Sequence, residues 1–302
     1  NVGSSLSNRL SLAADLAVAD LRGGSSDVNW NGAGRINVNG RTLTVAQTGG
    51  GNYPGVVLDG GGLVVKTGPG VFRSGVTPTP GGGWVAPLPY SGSWTLSNGT
   101  FSLNYCFLTN SSIMNVCSGA TLQVISGSPV DIPRELILSG PGYGFNGALY
   151  ALNGTPIQNP LSGKVTIADG GAAVKIVAGN KIVLGGALGG YGLLTLIGAG
   201  NLTLSNTWNF AVSGGVASRI NVTDGRVDIS GCTLDISNLV VATSREYVII
   251  GYTPPPGGFI GEFAATNGLG VTWAIRYAGT AKHANAVVLE NLQPPGSLFL
   301  VH

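Results

Sequence analysis

The sequence predicts an all-β chain wound as a solenoid of short stacked strands, and three observations predict it. Apolar residues recur with period two in pieces of three to six residues, and nearly every piece is closed by Gly, Asn, Asp or Ser. A Gly-x-Gly corner recurs between such pieces at Gly32-Ala33-Gly34, Gly68-Pro69-Gly70, Gly140-Pro141-Gly142 and Gly198-Ala199-Gly200. Helical periodicity is nearly absent after the first twenty or so positions. Glycine corners without a dominant Asn-Gly hairpin signal favour stacked rungs over a sandwich.

Residues 1–24 read as a short N-terminal cap. Leu6, Leu10, Leu16 and Leu21 suit a helix there, while Ala17-Val18-Ala19 suits a strand equally. The solenoid body follows over residues 25–240. Its strand pieces include Arg35–Val38, Thr42–Val45, Val56–Leu58, Leu63–Val65, Thr121–Ile125, Lys164–Ile167, Lys181–Leu184 and Val227–Ile229. The corners are spaced by 36, 72 and 58 residues, so rungs of about 20 residues with insertions lie between them. Roughly a dozen rungs at ~4.8 Å each make a rod on the order of 60 Å long. Pro78, Pro80, Pro87 and Pro89 around Gly81-Gly82-Gly83 mark an inserted loop at about residues 77–105. Residues 241–292 form a C-terminal β module that includes Val287–Leu289, and 293–302 an apolar tail.

Charge is scarce. Fifteen basic and 13 acidic residues among 302 give a net charge of +2 and a charged fraction of 9%, against about 25% in an ordinary domain. A polyanion partner and charge-driven disorder are both disfavoured, and no nucleic-acid footprint emerges. The uncharged stretch Ile182–Leu204 is long enough to cross a bilayer as a helix, but its seven glycines and the alternating Leu202-Thr203-Leu204 assign it to strands. No transmembrane segment is expected. The first residues show no basic region followed by an apolar core.

The run Gly147-Ala148-Leu149, Leu161–Ile167, Gly170–Val174, Gly189–Thr195 and Gly198–Ser205 resembles the autotransporter-associated β-strand repeat of bacterial surface proteins. Leu234–Ile236, Tyr247–Ile250, Gly261–Phe263, Trp273–Tyr277 and Ala286–Leu289 resemble the module that closes such passengers. Together these cover residues 145–291. The resemblance implies an exported, single-stranded right-handed parallel β-helix at the bacterial cell surface or outside the cell, acting as adhesin, coat or stalk. None of the matched residues is catalytic. Glu290 to His302 are too few for the membrane barrel that follows in that family.

Candidate chemistry is thin, and no cofactor, metal site or catalytic residue is expected. Asp224, Arg226, Asp228 and Asp235 are the densest charged set, with Arg226 and Asp228 read as a solvent-facing ion pair. Asp131, Arg134 and Glu135 beside Pro133 read as a solvated corner, and His283 and His302 as peripheral. No Gly-x-Ser-x-Gly or His-Glu-x-x-His occurs, and Gly163-Lys164 lacks the Ser or Thr of a phosphate loop. Asn-x-Ser/Thr triplets at Asn98, Asn110, Asn153, Asn201 and Asn221 are incidental in a chain so rich in these residues.

Low charge suits a subunit packed against copies of itself better than a freely diffusing one. The sequence therefore points to a structural subunit of an extracellular bacterial polymer: a filament, sheath or surface coat. A glycan-binding adhesin passenger is the second reading and a polysaccharide-active enzyme the third. After Pro294-Pro295, the tail residues Leu298, Phe299, Leu300 and Val301 either pair with a neighbouring subunit's edge or pack on their own last rung. Cys106 and Cys117 flank Asn110, Ser111 and Ser112, a turn-rich segment that either closes as a disulfide or leaves two reduced, buried thiols. A bridge there adds about 3 kcal/mol in the chain-entropy account. Alkylation without reductant, followed by mass measurement, decides it: one modified thiol, Cys232, accords with the bridge, and three modified thiols rule it out.

Overall fold

The computed structural model describes residues 9–21, 35–49, 57–75, 90–104, 112–125, 132–152, 161–213, 216–239, 244–254, 257–270 and 272–292. Within them the chain is all-β. The described residues contain no α-helix, and a 3-10 turn at Tyr143–Phe145 is their one helical element.

Period-two alternation forms short strands, and the glycine corners turn the chain so that it visits three faces in succession. The first face carries β1 (Arg9–Ser11), β3 (Arg35–Asn37) and β5 (Val57–Asp59), and later β15 (Lys181–Leu184), β18 (Asn201–Leu204), β23 (Arg226–Asp228) and β26 (Gly258–Ile260). On the second face lie β2 (Leu16–Val18), β4 (Arg41–Ala46), β6 (Gly62–Thr67), β8 (Ser93–Leu96), β10 (Met114–Val116) and β12 (Leu136–Gly140). It continues through the first half of β14 (Val165–Ile176), then β16 (Leu188–Gly190), β19 (Thr207–Asn209), β24 (Thr233–Asp235) and β27 (Ala265–Asn267). The third face stacks β7 (Val71–Gly75), β9 (Gly99–Asn104), β11 (Ala120–Ile125), β13 (Leu149–Leu152), the second half of β14, β17 (Leu193–Ile197), β22 (Arg219–Val222) and β25 (Glu246–Tyr252). Every pairing within these stacks is parallel, an arrangement consistent with a β-solenoid.

The second face shows the register most clearly. Leu16, Leu43, Val64, Trp94, Met114, Leu136, Val165, Leu188, Trp208, Leu234 and Thr266 are directly paired in one unbroken column, at chain intervals of 20 to 32 residues. From Leu43 to Leu234 each is buried, with at most 4% of its surface exposed. Ten steps of ~4.8 Å give this column a length of ~48 Å. On the third face Phe72, Phe101, Leu122, Leu149, Val174, Leu196 and Val222 form the corresponding column. Aromatic rings concentrate at two levels. Trp94 stacks on Phe101 at 4.6 Å and meets Tyr90 edge-on at 5.5 Å, and Trp208, Phe210, Phe263, Tyr247 and Trp273 form a second cluster.

The corners explain the glycine content. Gly68 and Gly198 open their corners with φ of +74° and +84°, a region costly to residues with a Cβ. The closing glycines, Gly70 and Gly200, press on the preceding rung, where a Cβ would collide with the backbone at Gly49 and Val177. Their N–H groups donate to Gln47 O and Ile176 O at 2.8 and 2.9 Å.

Four observations refine the sequence reading. Residues 9–21 form β1 and β2, which extend the first and second faces, so strand wins over helix there. The stretch assigned to an inserted loop contributes β8 and β9 from Tyr90 onward, while residues 76–89 lie outside the described residues. Ile182–Leu204 is four strands, and no helix among the described residues is long and apolar enough to cross a membrane. Parallel pairing ends in the C-terminal module, where β29 (Ala286–Asn291) runs antiparallel to both β25 and β28 (Trp273–Arg276). The remaining strands, β20 (Val212–Ser213) and β21 (Val216–Ala217), make a small antiparallel hairpin.

The register predicts an asymmetry between neighbours. Trp94→Ala empties the inward column and lowers stability by about 3–5 kcal/mol, whereas Thr95→Ala, facing outward, changes it by less than about 0.5 kcal/mol. Denaturant midpoints of the two variants check this.

Candidate functional site

The stack has two ends, and their chemistry differs from that of its sides. Among the described residues, β1 and β2 pair only inward, with β3 and β4, and at the far end β26 and β27 pair only with β23 and β24. Among the described residues neither outer edge has a partner strand, and such an edge is one that another strand can extend. The inward columns also run out at these ends. Leu10 pairs with Ile36, and Ile36 with Leu58; both of these are buried, yet Leu10 is itself 52% exposed. Thr266 continues the second-face column in exposed surroundings, and nearby Ile260 is 39% exposed. The third face differs, because β29 covers the far edge of β25.

Ion-pair contacts gather in the C-terminal module. Glu290 accepts from Arg276 at 2.8 Å and faces Arg245 at 3.9 Å, while Glu246 lies 3.7 Å from His283. His283 is half-buried rather than fully exposed, because its turn folds back on Thr280 through two backbone bonds of 3.1 and 3.2 Å.

The densest acidic set does not converge. Among the described residues no ion pair joins Arg226 and Asp228, correcting the expected one. Asp228 Oδ1 instead accepts from the Ser230 backbone N–H at 3.0 Å and hydroxyl at 2.7 Å. Asp235 repeats this with Ser237 at 2.9 and 2.6 Å, and these bonds hold its carboxyl below the usual range. Both aspartates close corners as Asx turns. Among the described residues no group of three or more His, Cys, Asp or Glu could hold a metal ion.

Two buried cations escaped the sequence reading. Arg134, expected in a solvated corner, is fully buried, and its guanidinium donates to Gly92 O at 3.0 Å and Tyr90 O at 3.3 Å. It thereby ties its rung to the one that carries β8. Ser112 supplies a second donor to Gly92 O at 2.6 Å. Burial lowers the Arg134 pKa to about 10, opposed by its interaction with Tyr90, and raises that of the Tyr90 phenol. Glu135, next in sequence, stays near the surface and accepts from Lys164 at 3.0 Å and Thr166 at 2.9 Å.

Lys66 stands between Val45 and Leu96 in an inward column and is fully buried. Its ammonium donates to the carbonyls of Thr67, Gly68 and Asn98 at 3.1, 2.6 and 2.8 Å. Strand parity was the signal that could have found it, since Val64 points inward two residues earlier.

Cys117 is half-buried with a free thiol, and its expected partner Cys106 lies outside the described residues. Cys232 is buried, which pushes its thiol up to about 12. The tail residues Leu298, Phe299, Leu300 and Val301 also lie outside the described residues. Comparison with protein families, with characterised proteins and with solved structures finds no match to this chain.

Lys66 makes stability depend on pH in a calculable direction. Burial lowers its pKa from 10.5 to about 8, so between these values the folded chain has released a proton that the unfolded chain still holds. Its contribution to stability therefore rises with pH across that window, by up to about 3 kcal/mol, and is absent below it. Tyr90 and Cys232, both raised, act in the opposite sense at high pH. Subtracting Lys66→Met, which keeps both, isolates the lysine. Unfolding at pH 7.5 and 10 should show the parent gaining on the variant as pH rises.

Proposed function

We propose that this chain is a structural subunit of an extracellular bacterial protein polymer, a filament, sheath or surface coat. In this reading it is a single-stranded right-handed parallel β-helix whose copies join end to end. The observation that carries it is the pair of open ends, where inward columns terminate in exposed Leu10 and Thr266 and strand edges have no outer partner among the described residues. The right hand follows from the strong preference of parallel crossover connections for that sense. A head-to-tail contact between two different ends does not close on itself and generates a filament.

The low charge supports the same reading. Exposed like charges at strand edges are a common defence against edge pairing, whereas β27 presents Ala265, Thr266 and Asn267. Burying an exposed leucine such as Leu10 contributes roughly 1.5–3 kcal/mol. The tail residues Leu298, Phe299, Leu300 and Val301 would supply a further strand to a neighbour's open edge.

Electron microscopy and sedimentation of the purified chain test the proposal. Ordered polymers are expected, and they should persist at high salt because few charges take part. Ala265→Lys together with Asn267→Lys should leave a folded monomer, and deletion of residues 296–302 should weaken assembly. A parent chain that stays monomeric at all accessible concentrations would refute the reading.

A further inference from the structure

The corner between the second and third faces carries an aromatic platform that packing does not explain. Phe145 is 78% exposed at a φ of +59°, and Tyr143 beside it is 37% exposed. Every other positive φ among the described residues belongs to glycine, except that of Asn39. Asparagine tolerates the left-handed region through local hydrogen bonds, whereas phenylalanine has no such compensation. A glycine-rich chain thus keeps a strained, solvent-facing ring where glycine would sit without strain. Strain of this kind collects at functional sites.

The loop is braced. Tyr143 N–H donates to Thr121 Oγ1 at 2.9 Å, and that hydroxyl donates to Gly147 O at 2.8 Å. Gly147 N–H donates to Pro141 O at 2.8 Å. Lys175 Nζ donates to Asn146 Oδ1 at 2.8 Å while lying 5.3 Å from the centre of the Tyr150 ring. The rings are therefore presented on a fixed support, which limits the entropy lost on binding.

Two rungs further along the same corner stands Tyr191, 45% exposed. The register relates them: Leu138 pairs with Ile167 and Ile167 with Gly190 before the corner, Gly140 with Ala172 and Ala172 with Leu194 after it, so Tyr191 stands within its corner and the Tyr143–Phe145 turn leaves its rung just past the corresponding point. The intervening rung turns at Asp169 and Gly170, both exposed. Stacked strands thus set the two aromatic positions two rungs, ~10 Å, apart along the stack, with the Asp169 turn on the rung between them.

This chemistry selects a ligand class. Lys175 is already engaged by Asn146 and Tyr150, so the strip offers an anion little, and Asp169 opposes one. An apolar peptide would need continuous apolar surface, which Asp169 and Gly170 interrupt. A neutral polyhydroxylated chain fits both features, because sugar rings lay their C–H faces on aromatic rings and present hydroxyls to a carboxylate. An extended β-linked glycan also rises per sugar by close to the spacing between rungs. We propose that the corner from Gly140 to Gly192 binds a neutral, extended β-linked glycan, with alternate sugars on the Tyr143/Phe145 and Tyr191 platforms. The site is independent of whether the ends stack.

Titration calorimetry with the β-1,4-linked hexamers of glucose, N-acetylglucosamine, mannose and xylose, with cellobiose and with α-linked maltohexaose tests it. At least one β-linked hexamer should bind, with its dimer or maltohexaose at least ten-fold weaker. Phe145→Ala and Tyr191→Ala should each weaken that hexamer five-fold or more. Phe145→Gly should weaken it equally while melting no lower than the parent, since it relieves the positive φ. Absence of binding by all four hexamers, full affinity in the Phe145→Ala/Tyr191→Ala double variant, or a lowered melting point for Phe145→Gly would each overturn the proposal. So would loss of self-association in place of glycan binding on corner substitution, which would make the strip a protein contact.

Discussion

Parallel stacking in register is the constraint on which the rest of this molecule depends. A single rung cannot bury its inward residues or satisfy its own backbone, so each is stable only against the rungs above and below. The second-face column from Leu16 to Thr266 holds its alignment although the chain between successive members varies from 20 to 32 residues. Length variation is thus absorbed in the corners and loops, while inward position is conserved by strand parity. A slip of one residue would turn every inward side chain outward.

The same constraint governs polar groups. Corner carbonyls that point inward cannot reach water, and the fold satisfies several of them with side chains from inside the stack. Lys66 serves three carbonyls of two successive corners, and Arg134 serves two from a rung that lies beyond the next one. Outward corners use short residues instead, as with the Asx turns at Asp228 and Asp235. Several of the charged groups, Lys66, Arg134, Asp228 and Asp235 among them, thus complete the backbone.

Stacking also determines where function can reside. Along the faces, outward residues are mostly half-buried Thr, Asn, Ser and aliphatic side chains, flush with their neighbours. Departures from that surface occur at the ends, where the columns stop, and at the corners, where inserted residues leave the rung. Leu10 and Ile260 are exposed at the ends, and no described strand pairs with the outer edges beside them. The Tyr143–Phe145 turn is a corner insertion, and Tyr191 occupies the corner two rungs further along the stack. Periodicity thus sets the separation of two exposed aromatic sites at two rungs.

Strand content, parallel stacking and glycine corners were legible in the sequence because each rests on local chemistry. Period-two alternation assigns Val64, Leu202 and Val227 to the interior, and Gly68 and Gly198 mark positions that require a positive φ. Other features depended on which rungs became neighbours. Lys66 is inward by parity, yet a lysine becomes tolerable there only because carbonyls of two corners converge on it. Arg134 beside Pro133 and Glu135 reads as surface, and its burial follows from the distant Tyr90–Gly92 segment. Tyr143, Phe145 and Tyr191 lie apart in the chain, and only the register of β12, β14 and β16 places them on one edge. Local pattern determined the repeating unit, and tertiary stacking decided which units meet, because the partners of a buried charge or an exposed ring are separated by whole turns of the chain.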